Sequence, residues 1–408
     1  MPVVLPFGSD SSLELELPPE AVVAAHAAPR GSAVRDPAAA VQQALREPLD
    51  FPALRQATVP GDRIVLALDH GVPRAAEVVA AVVSYLVEEG SEADHITLLQ
   101  SPDESTGQGD FRRLLPHDWR DEVGLEVHAP EVSGKLALLG SSREGKPIYL
   151  NRTLLDADLV VPVGCLRCEG SLGYFGRYGG LYPAFSDAKT QQRFRKPPKN
   201  ESRRNGSAQR AEVDEIGWLL GTQFTVQVLP GARDEWLDVL AGEIRQVFEV
   251  GARRCADAWT YELPRRASLV IASISGGPEQ QTWDNVGRAL AAASEAVSPG
   301  GAIALCTELA AEPGPAVASL ANVEDLGGAL RRIRRDAESD ALPAGELARA
   351  LEHAKIYLLS RLDESLVEDL GMAAVADARE IARLARRHES CVVLASAQHA
   401  AVAVGEEQ

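Results

Sequence analysis

The chain has 408 residues, a length that predicts two domains rather than one. Its hydrophobic content of 45% is ordinary for a globular protein, and its net charge of −18 argues against nucleic-acid binding and against docking on an anionic membrane. We expect no signal peptide and no membrane span, because neither a basic leader nor a run of about 18 apolar residues occurs. Five cysteines do not indicate a disulfide framework, so a cytoplasmic location is expected.

Patterns of strands and helices alternate along the first half of the chain. An apolar run at 62–70 predicts a buried strand, and 75–90 predicts a helix that ends at Gly90. Further strands are predicted at 94–100, 125–130, 147–151 and 156–164. Strand–helix–strand alternation of this kind predicts a parallel sheet with helices on its faces.

Residues 187–210 differ from the rest of this acidic chain. They contain eight Lys or Arg residues against only Asp187 and Glu201, and the two prolines predict a loop. Two interpretations stay open. The segment is either a solvated loop or a lid that helps to hold an anionic ligand.

Regular patterns resume after this basic segment. The sequence predicts a helix at 212–220, a strand at 223–229 and one long helix over 235–259, followed by a crossing between domains at 262–267. A second strand–helix series then begins. We therefore predict an α/β fold of two domains, with mostly parallel sheets flanked by helices and a ligand cleft between them. The predicted domains are 1–264 and 265–408, and the last residues are candidates for packing back on the first domain.

Polar side chains follow three predicted strands of the first domain. Ligands of open parallel sheets bind beyond the carboxyl ends of the strands, so these side chains predict a site at that edge. The residues are Asp69, His70, Arg74, Asp103, Glu104, Arg167, Glu169 and Arg177.

Two motifs lie next to the third of these strand ends. Cys165 and Cys168 form a C-x-x-C pair, but no second pair exists to complete a zinc site, which favours reduced structural thiols. The following stretch, GSLGYFGRYGGLYPAF at 170–185, matches neither the dinucleotide fingerprint nor the phosphate-binding P-loop. By residue type it is either a surface for close approach of a ligand or a packing turn.

Histidines are absent from a long central part of the chain. His128 and His353 are consecutive histidines, so a metal site near the glycine-rich stretch must use carboxylates, thiolates or a distant histidine.

The order of these segments resembles the lactate racemase family. GDRIVLALDHGVPR at 61–74 is similar to that family's strand and Asp-His-Thr-Arg-Pro-type motif, and the glycine-rich stretch is similar to its cofactor loop. The segment SISGGPEQQTWDNVGRALAAASEAVSPGGAIAL at 273–305 also follows the family's pattern. The resemblance implies a two-domain α/β fold, racemisation or epimerisation of 2-hydroxy acids, and a nickel-pincer nucleotide cofactor.

The resemblance also implies roles for individual residues. The family's cofactor-linked lysine falls on Gly179, so any cofactor here would not be covalently tethered, and its nickel-ligating histidine is absent, so no metal ligand is predicted. The family's catalytic histidines fall on Glu169 and on Glu104 or Ser105, and a Gln and a Lys of its active site fall on Asn285 and Arg288. The implied catalytic residues are Glu169, Glu104 and Arg288. The implied cofactor-binding residues are Asp69, His70, Arg74, Gly173, Gly176, Arg177 and Gly179, and the implied substrate-binding residues are Arg167 and Asn285.

Three functions remain open from the sequence. The first is a diverged isomerase that acts on a 2-hydroxy acid or a similar anion. The second is a binding or regulatory protein that has lost the tethered cofactor, since a fold does not fix a function. The third, a nucleotide-dependent transferase, is the least favoured because the dinucleotide fingerprint is missing. The expected partner is a small anionic substrate or a nucleotide-type cofactor, and the sequence predicts no particular oligomeric state.

Overall fold

The computed structural model describes residues 2–102, 109–168, 176–197 and 207–405. The strands are β1 (Pro2–Phe7), β2 (Ser11–Glu16), β3 (Val22–His26), β4 (Ile64–Leu68), β5 (Ile96–Gln100), β6 (Gly124–Val127), β7 (Leu136–Ser141), β8 (Pro147–Asn151), β9 (Leu159–Cys165), β10 (Phe224–Pro230), β11 (Trp236–Glu243), β12 (Thr260–Leu263), β13 (Ala267–Ser273), β14 (Val297–Cys306), β15 (Lys355–Leu359), β16 (Ala373–Ala374), β17 (Cys391–Leu394) and β18 (Ala401–Val404). The α-helices are α1 (Pro37–Arg46), α2 (Ala75–Glu88), α3 (His117–Glu122), α4 (Arg152–Leu155), α5 (Ala188–Phe194), α6 (Ser207–Leu220), α7 (Ile244–Trp259), α8 (Trp283–Ala296), α9 (Pro315–Ala318), α10 (Leu326–Asp336), α11 (Ala341–His353), α12 (Glu364–Asp369) and α13 (Ala378–Arg387). Across these ranges, no helix has the length and apolar character needed to span a membrane.

A six-stranded sheet forms the framework of the first part of the chain. Its order is β11-β10-β9-β4-β5-β6, and every neighbouring pair is parallel except β10 and β11. The predicted strand–helix–strand unit is present as β4, α2 and β5. Helix α2 buries Val78, Val79, Val82 and Val83 against this sheet, at roughly 1.5–3 kcal/mol for each fully buried valine. It ends at Glu88, two residues before the predicted end at Gly90, whose φ of 107° favours glycine.

A second six-stranded sheet has the order β16-β15-β14-β13-β17-β3, and all its pairings are parallel. The predicted α/β class with mostly parallel sheets is confirmed. Strand β3 comes from the N-terminal segment yet pairs with β17, and β18 near the C-terminus pairs with β12. The division at residue 264 stays a prediction.

The prediction of one helix over 235–259 was wrong in its first third. Trp236–Glu243 is strand β11, which forms an antiparallel hairpin with β10 and buries Trp236, Val239 and Leu240. Arg233, with a φ of 57°, lies in the tight turn of the hairpin. The helix begins only at Ile244, where the carboxylate of Glu243 accepts the N–H of Gln246 at 2.9 Å.

The prediction of a loop at 187–210 was wrong for 188–194 and for 207–210, and residues 198–206 lie outside the residues that the structure describes. Ala188–Phe194 is helix α5, and helix α6 begins at Ser207. Asp187 caps α5 by accepting the N–H of Thr190 at 3.1 Å, and Phe194 is buried against Tyr182. A local cap and one apolar anchor therefore outweigh the loop-forming composition of the segment.

The predicted strand at 147–151 is present, but it lies outside the main sheets. It is β8, and it pairs antiparallel with β7, a strand that the sequence did not predict. Gly145, with a φ of 75°, lies in the connection between the two strands.

Candidate functional site

A cavity of about 800 Å³ lies beyond the carboxyl ends of β4, β5 and β9. Its opposite wall comes from the N-terminal end of α8 and from residues near 312–314 and 339–342. The cavity thus lies between the end of the first sheet and α8, the helix that follows β13 of the second sheet, at the edge where open parallel sheets bind ligands. Eight predicted site residues line it. They are Asp69, His70, Arg167, Gly176, Arg177, Gly179, Asn285 and Arg288.

Asp69 and His70 follow β4 and form a close acid–imidazole pair. One oxygen of Asp69, Oδ1, lies 3.0 Å from Nδ1 of His70 and accepts the backbone N–H of His70 at 2.9 Å. Burial pushes the pKa of Asp69 up, but the charge and hydrogen bonds of His70, with the nearby charge of Arg167, outweigh it and lower the pKa to about 2. Asp69 is therefore ionised at neutral pH and holds the His70 ring in place.

Arg288 and Asn285 lie on the first turns of α8 and face the same cavity. Arg288 is only 8% exposed, and one of its terminal nitrogens, Nη1, donates to Oδ1 of Asn285 at 2.6 Å. The amide of Asn285 donates in turn to the carbonyl oxygen of Gln280 at 2.7 Å, which fixes its orientation. The other terminal nitrogen of Arg288, Nη2, lies 3.9 Å from Asp284. Among the described residues, Nε of Arg288 has no hydrogen-bond partner.

Arg167 lies on the other side of the cavity from α8, just beyond the end of β9. Its Nη2 donates to the carbonyl oxygen of His70 at 3.1 Å, which joins the ends of β9 and β4. Burial lowers the pKa of Arg288 to about 10, and repulsion from Arg167 adds to this effect. Arg167 therefore lies close enough to Arg288 to disfavour the charged form of Arg288.

The remaining predicted residues have different surroundings. Arg177 lines the cavity but already donates to Asp214 at 2.8 Å. Arg74 does not line the cavity, because it forms an ion pair with Glu77 and lies over the ring of Trp236. Glu104, Glu169 and Gly173 lie outside the residues that the structure describes.

Two residues of this site were not predicted from the sequence. Asp284, beside Asn285, lies 3.7 Å from Nε2 of His70 and so connects the two walls of the cavity. His128 is buried and also lines the cavity. The sequence carries a signal for His128, because this residue directly follows β6 at the same edge of the sheet. It carries none for Asp284, because acidic residues are common in the first turn of a helix and do not indicate a site.

The cysteines are free and buried, in agreement with the predicted structural thiols. The C-x-x-C spacing did not predict the actual neighbour of Cys168, whose sulfur lies 3.4 Å from that of Cys255 on α7. Cys165 is enclosed separately, and burial raises the pKa of its thiol to about 11. A thiol of this kind is a poor nucleophile and a poor metal ligand at neutral pH.

The donor set of the cavity does not fit a tethered nickel-pincer nucleotide. Position 179 is glycine, and no lysine lines the described part of the cavity. In the ranges that the structure describes, the one group of three candidate metal ligands is Glu92, Asp94 and His95, which precedes β5 at the opposite edge of the sheet. The covalent link and the nickel ligands that the resemblance implies therefore have no counterparts among these residues.

Comparisons with known proteins agree with this architecture. Residues 7–202 match the family model of the lactate racemase N-terminal domain. Residues 7–202 are thereby identified as a lactate racemase N-terminal domain. The lactate racemase apoprotein from Thermoanaerobacterium thermosaccharolyticum is similar with a TM-score of 0.76 at 18% identity, covering 100% of both chains. A structural-genomics crystal structure of a Thermotoga maritima protein is similar with a TM-score of 0.65 at 14% identity, covering 90% of this chain and 98% of that one. At these identities the likeness shows the fold alone, and no curated protein matched.

The match of residues 7–202 to this family model, together with the similar fold, confirms the predicted resemblance. It gives the chain the scaffold of a racemase family whose characterised members use a nickel-pincer nucleotide. The roles of the individual site residues stay predictions.

Proposed function

We propose that this lactate-racemase-family protein binds a 2-hydroxy acid or a similar small anion in the cavity between the first sheet and α8. The observation that carries the proposal is Arg288, a buried guanidinium whose Nε has no hydrogen-bond partner among the described residues. A buried charge and a buried donor both carry a free-energy cost until a partner compensates them.

The neighbouring charges indicate an anionic partner. Arg167 repels Arg288 across the cavity, and Asp284 compensates this only from 3.9 Å. A carboxylate placed between the two guanidinium groups would relieve their repulsion and accept the Nε–H of Arg288. Arginine suits this task because its planar fork matches the geometry of a carboxylate.

Calorimetric titration with D- and L-lactate tests the proposal. Arg288→Gln should lower the affinity about tenfold or more, since a hydrogen bond to a charged group contributes about 1.5–3 kcal/mol. Arg63→Gln is the matched control, because it removes the same charge at the opposite edge of the first sheet, where Arg63 pairs with Asp158. Equal affinity in the wild type and Arg288→Gln would contradict the proposal, as would an equal loss in both variants.

A binding or regulatory role, the alternative that the sequence left open, gains support from the donor set of the cavity. Position 179 is glycine rather than lysine, and the one group of three candidate metal ligands among the described residues, Glu92, Asp94 and His95, lies at the opposite edge of the sheet from the cavity. Racemase-type chemistry with an untethered cofactor is the second candidate, and the Asp69–His70 pair favours it because it provides an acid–base group.

Metal analysis and native mass of protein purified from cells that make the pincer nucleotide separate these two roles. Stoichiometric nickel together with a nucleotide-sized mass increase would establish the second candidate. The binding role would be supported if the wild-type protein contains neither nickel nor nucleotide while a Gly179→Lys variant retains the nucleotide covalently. We also propose a cytoplasmic location, for which the five free cysteines are the support.

A further inference from the structure

Two cysteine sulfurs from distant parts of the chain meet where α7 packs beside the residues that follow β9. Sγ of Cys168 lies 3.4 Å from Sγ of Cys255, although the two residues are 87 positions apart in the sequence. Both thiols are free. A disulfide bond holds its sulfurs about 2.05 Å apart, so these two need to approach each other by only about 1.4 Å.

The other cysteines are not placed for the same reaction. Cys306 lies on β14 and Cys391 on β17, and β13 runs between them, so two strand spacings of about 4.8 Å each separate them. Cys165 is close to Cys168 in the sequence, but its thiol donates to the carbonyl oxygen of Leu166 at 3.5 Å. The geometry therefore favours the pair of Cys168 and Cys255 over the pair of the C-x-x-C motif.

The two thiols of this pair differ in acidity and in exposure. The thiol of Cys255 donates to the sulfur of Cys168, which lowers the pKa of Cys168 and raises that of Cys255. Burial raises the pKa of Cys255 further, and this residue is 1% exposed against 7% for Cys168. The thiolate is the reactive form of a cysteine. Cys168 is therefore the nucleophile of the pair, and Cys255 is the thiol that resolves its oxidised form.

We propose that Cys168 and Cys255 are a redox-active pair, which hydrogen peroxide converts into a disulfide. The thiolate of Cys168 attacks one peroxide oxygen and the O–O bond breaks, which leaves a sulfenic acid on Cys168. The other oxygen leaves as water with the proton that Cys168 has lost. The sulfur of Cys255 then attacks that of Cys168, the S–S bond forms, and the S–O bond breaks. The second water carries away the thiol hydrogen of Cys255, and two electrons have passed from the thiols to the peroxide.

The crosslink joins α7 to the chain just beyond Arg167, at the wall of the cavity. Because it connects residues 87 positions apart, it restricts the unfolded chain and stabilises the folded one. A reducing compartment keeps such a pair as thiols, so the disulfide forms only when an oxidant is present. This inference does not depend on which ligand the cavity binds.

Peroxide treatment of the reduced, full-length protein at neutral pH tests the inference. Two of the five cysteines should become inaccessible to alkylation after unfolding, and the mass should fall by two hydrogens. Trypsin cuts after Arg167, which separates Cys165 from Cys168. Without reductant, the tryptic peptides 168–177 and 255–265 should be joined, and dithiothreitol should release them. The oxidised protein should also unfold several degrees higher than the reduced protein.

Three variants separate this pair from the neighbouring thiol. Cys168→Ala and Cys255→Ala should each lose the joined peptides. Cys165→Ala, the matched control from the same C-x-x-C motif, should keep them. Alkylation of all five cysteines of the wild type after peroxide treatment overturns the inference. A disulfide between Cys165 and Cys168, or a sulfinic acid on Cys168 without a crosslink, overturns it as well.

Discussion

Burial affects the two charged residues Asp69 and Arg288 in comparable ways, but their neighbours affect them differently. For each, loss of water disfavours the charged form. His70 and Arg167 reverse this effect for Asp69, whereas Arg167 reinforces it for Arg288. Asp69 is thus satisfied within the protein, and Arg288 is the group that requires a ligand.

The low pKa of Asp69 predicts a contribution to stability that depends on pH. Its pKa is about 2 in the folded protein against 3.8 ordinarily, so the stabilisation is present above pH 4 and is lost as the pH falls through 2. A difference of this size contributes about 2 kcal/mol to the free energy of unfolding. Urea unfolding of the wild type at pH 5 and at pH 2 should show this loss, and Asp69→Asn should lack it.

Asp158→Asn serves as the control for this measurement. Asp158 pairs with Arg63 on the surface, where solvent screens the interaction, so its removal should change the pH dependence much less. If Asp69→Asn loses the same stability as the wild type between pH 5 and pH 2, Asp69 is not held by His70 as described.

At the scale of elements, helix α7 packs closely against Leu166, the residue before Arg167. A Cβ atom at Gly251 would lie 2.6–2.7 Å from the methyl groups of Leu166, which is buried beside Arg167. Gly251→Val should therefore displace Leu166, destabilise the protein by about 1–3 kcal/mol and weaken lactate binding.

Thermal unfolding and calorimetry of Gly251→Val check this prediction. Gly134→Val is a matched control, because nothing lies within 4 Å of a Cβ atom at Gly134. Equal stability of the two variants would show that the contact between α7 and Leu166 does not constrain the strand end.

The elements also show where sequence patterns are informative and where they are not. The unit of β4, α2 and β5 was predictable because its apolar runs are long and have clear periods. Strand β11 was not, because its residues are buried on both faces and run directly into an amphipathic helix. The hairpin partner and the register are decided by the tertiary structure, which outweighs local propensity.

For the whole molecule, the sequence predicted the α/β class and one edge of the cavity. Asp69, His70 and Arg167 could be predicted as site residues because the ends of strands are recognisable in a sequence. The approach of Asp284 to His70, of Cys168 to Cys255, and of β3 to the second sheet joins segments far apart in the chain. No local pattern specifies such contacts, since they depend on the tertiary structure.

The central claim is that the cavity between the first sheet and α8 holds a small carboxylate at Arg288. A crystal structure of the full-length protein with lactate tests it most directly. We predict that a carboxylate oxygen lies about 2.7–2.9 Å from Nε of Arg288 and close to Arg167. A structure in which lactate is bound elsewhere, or in which Nε of Arg288 is paired with a protein group in the presence of saturating lactate, would contradict the account.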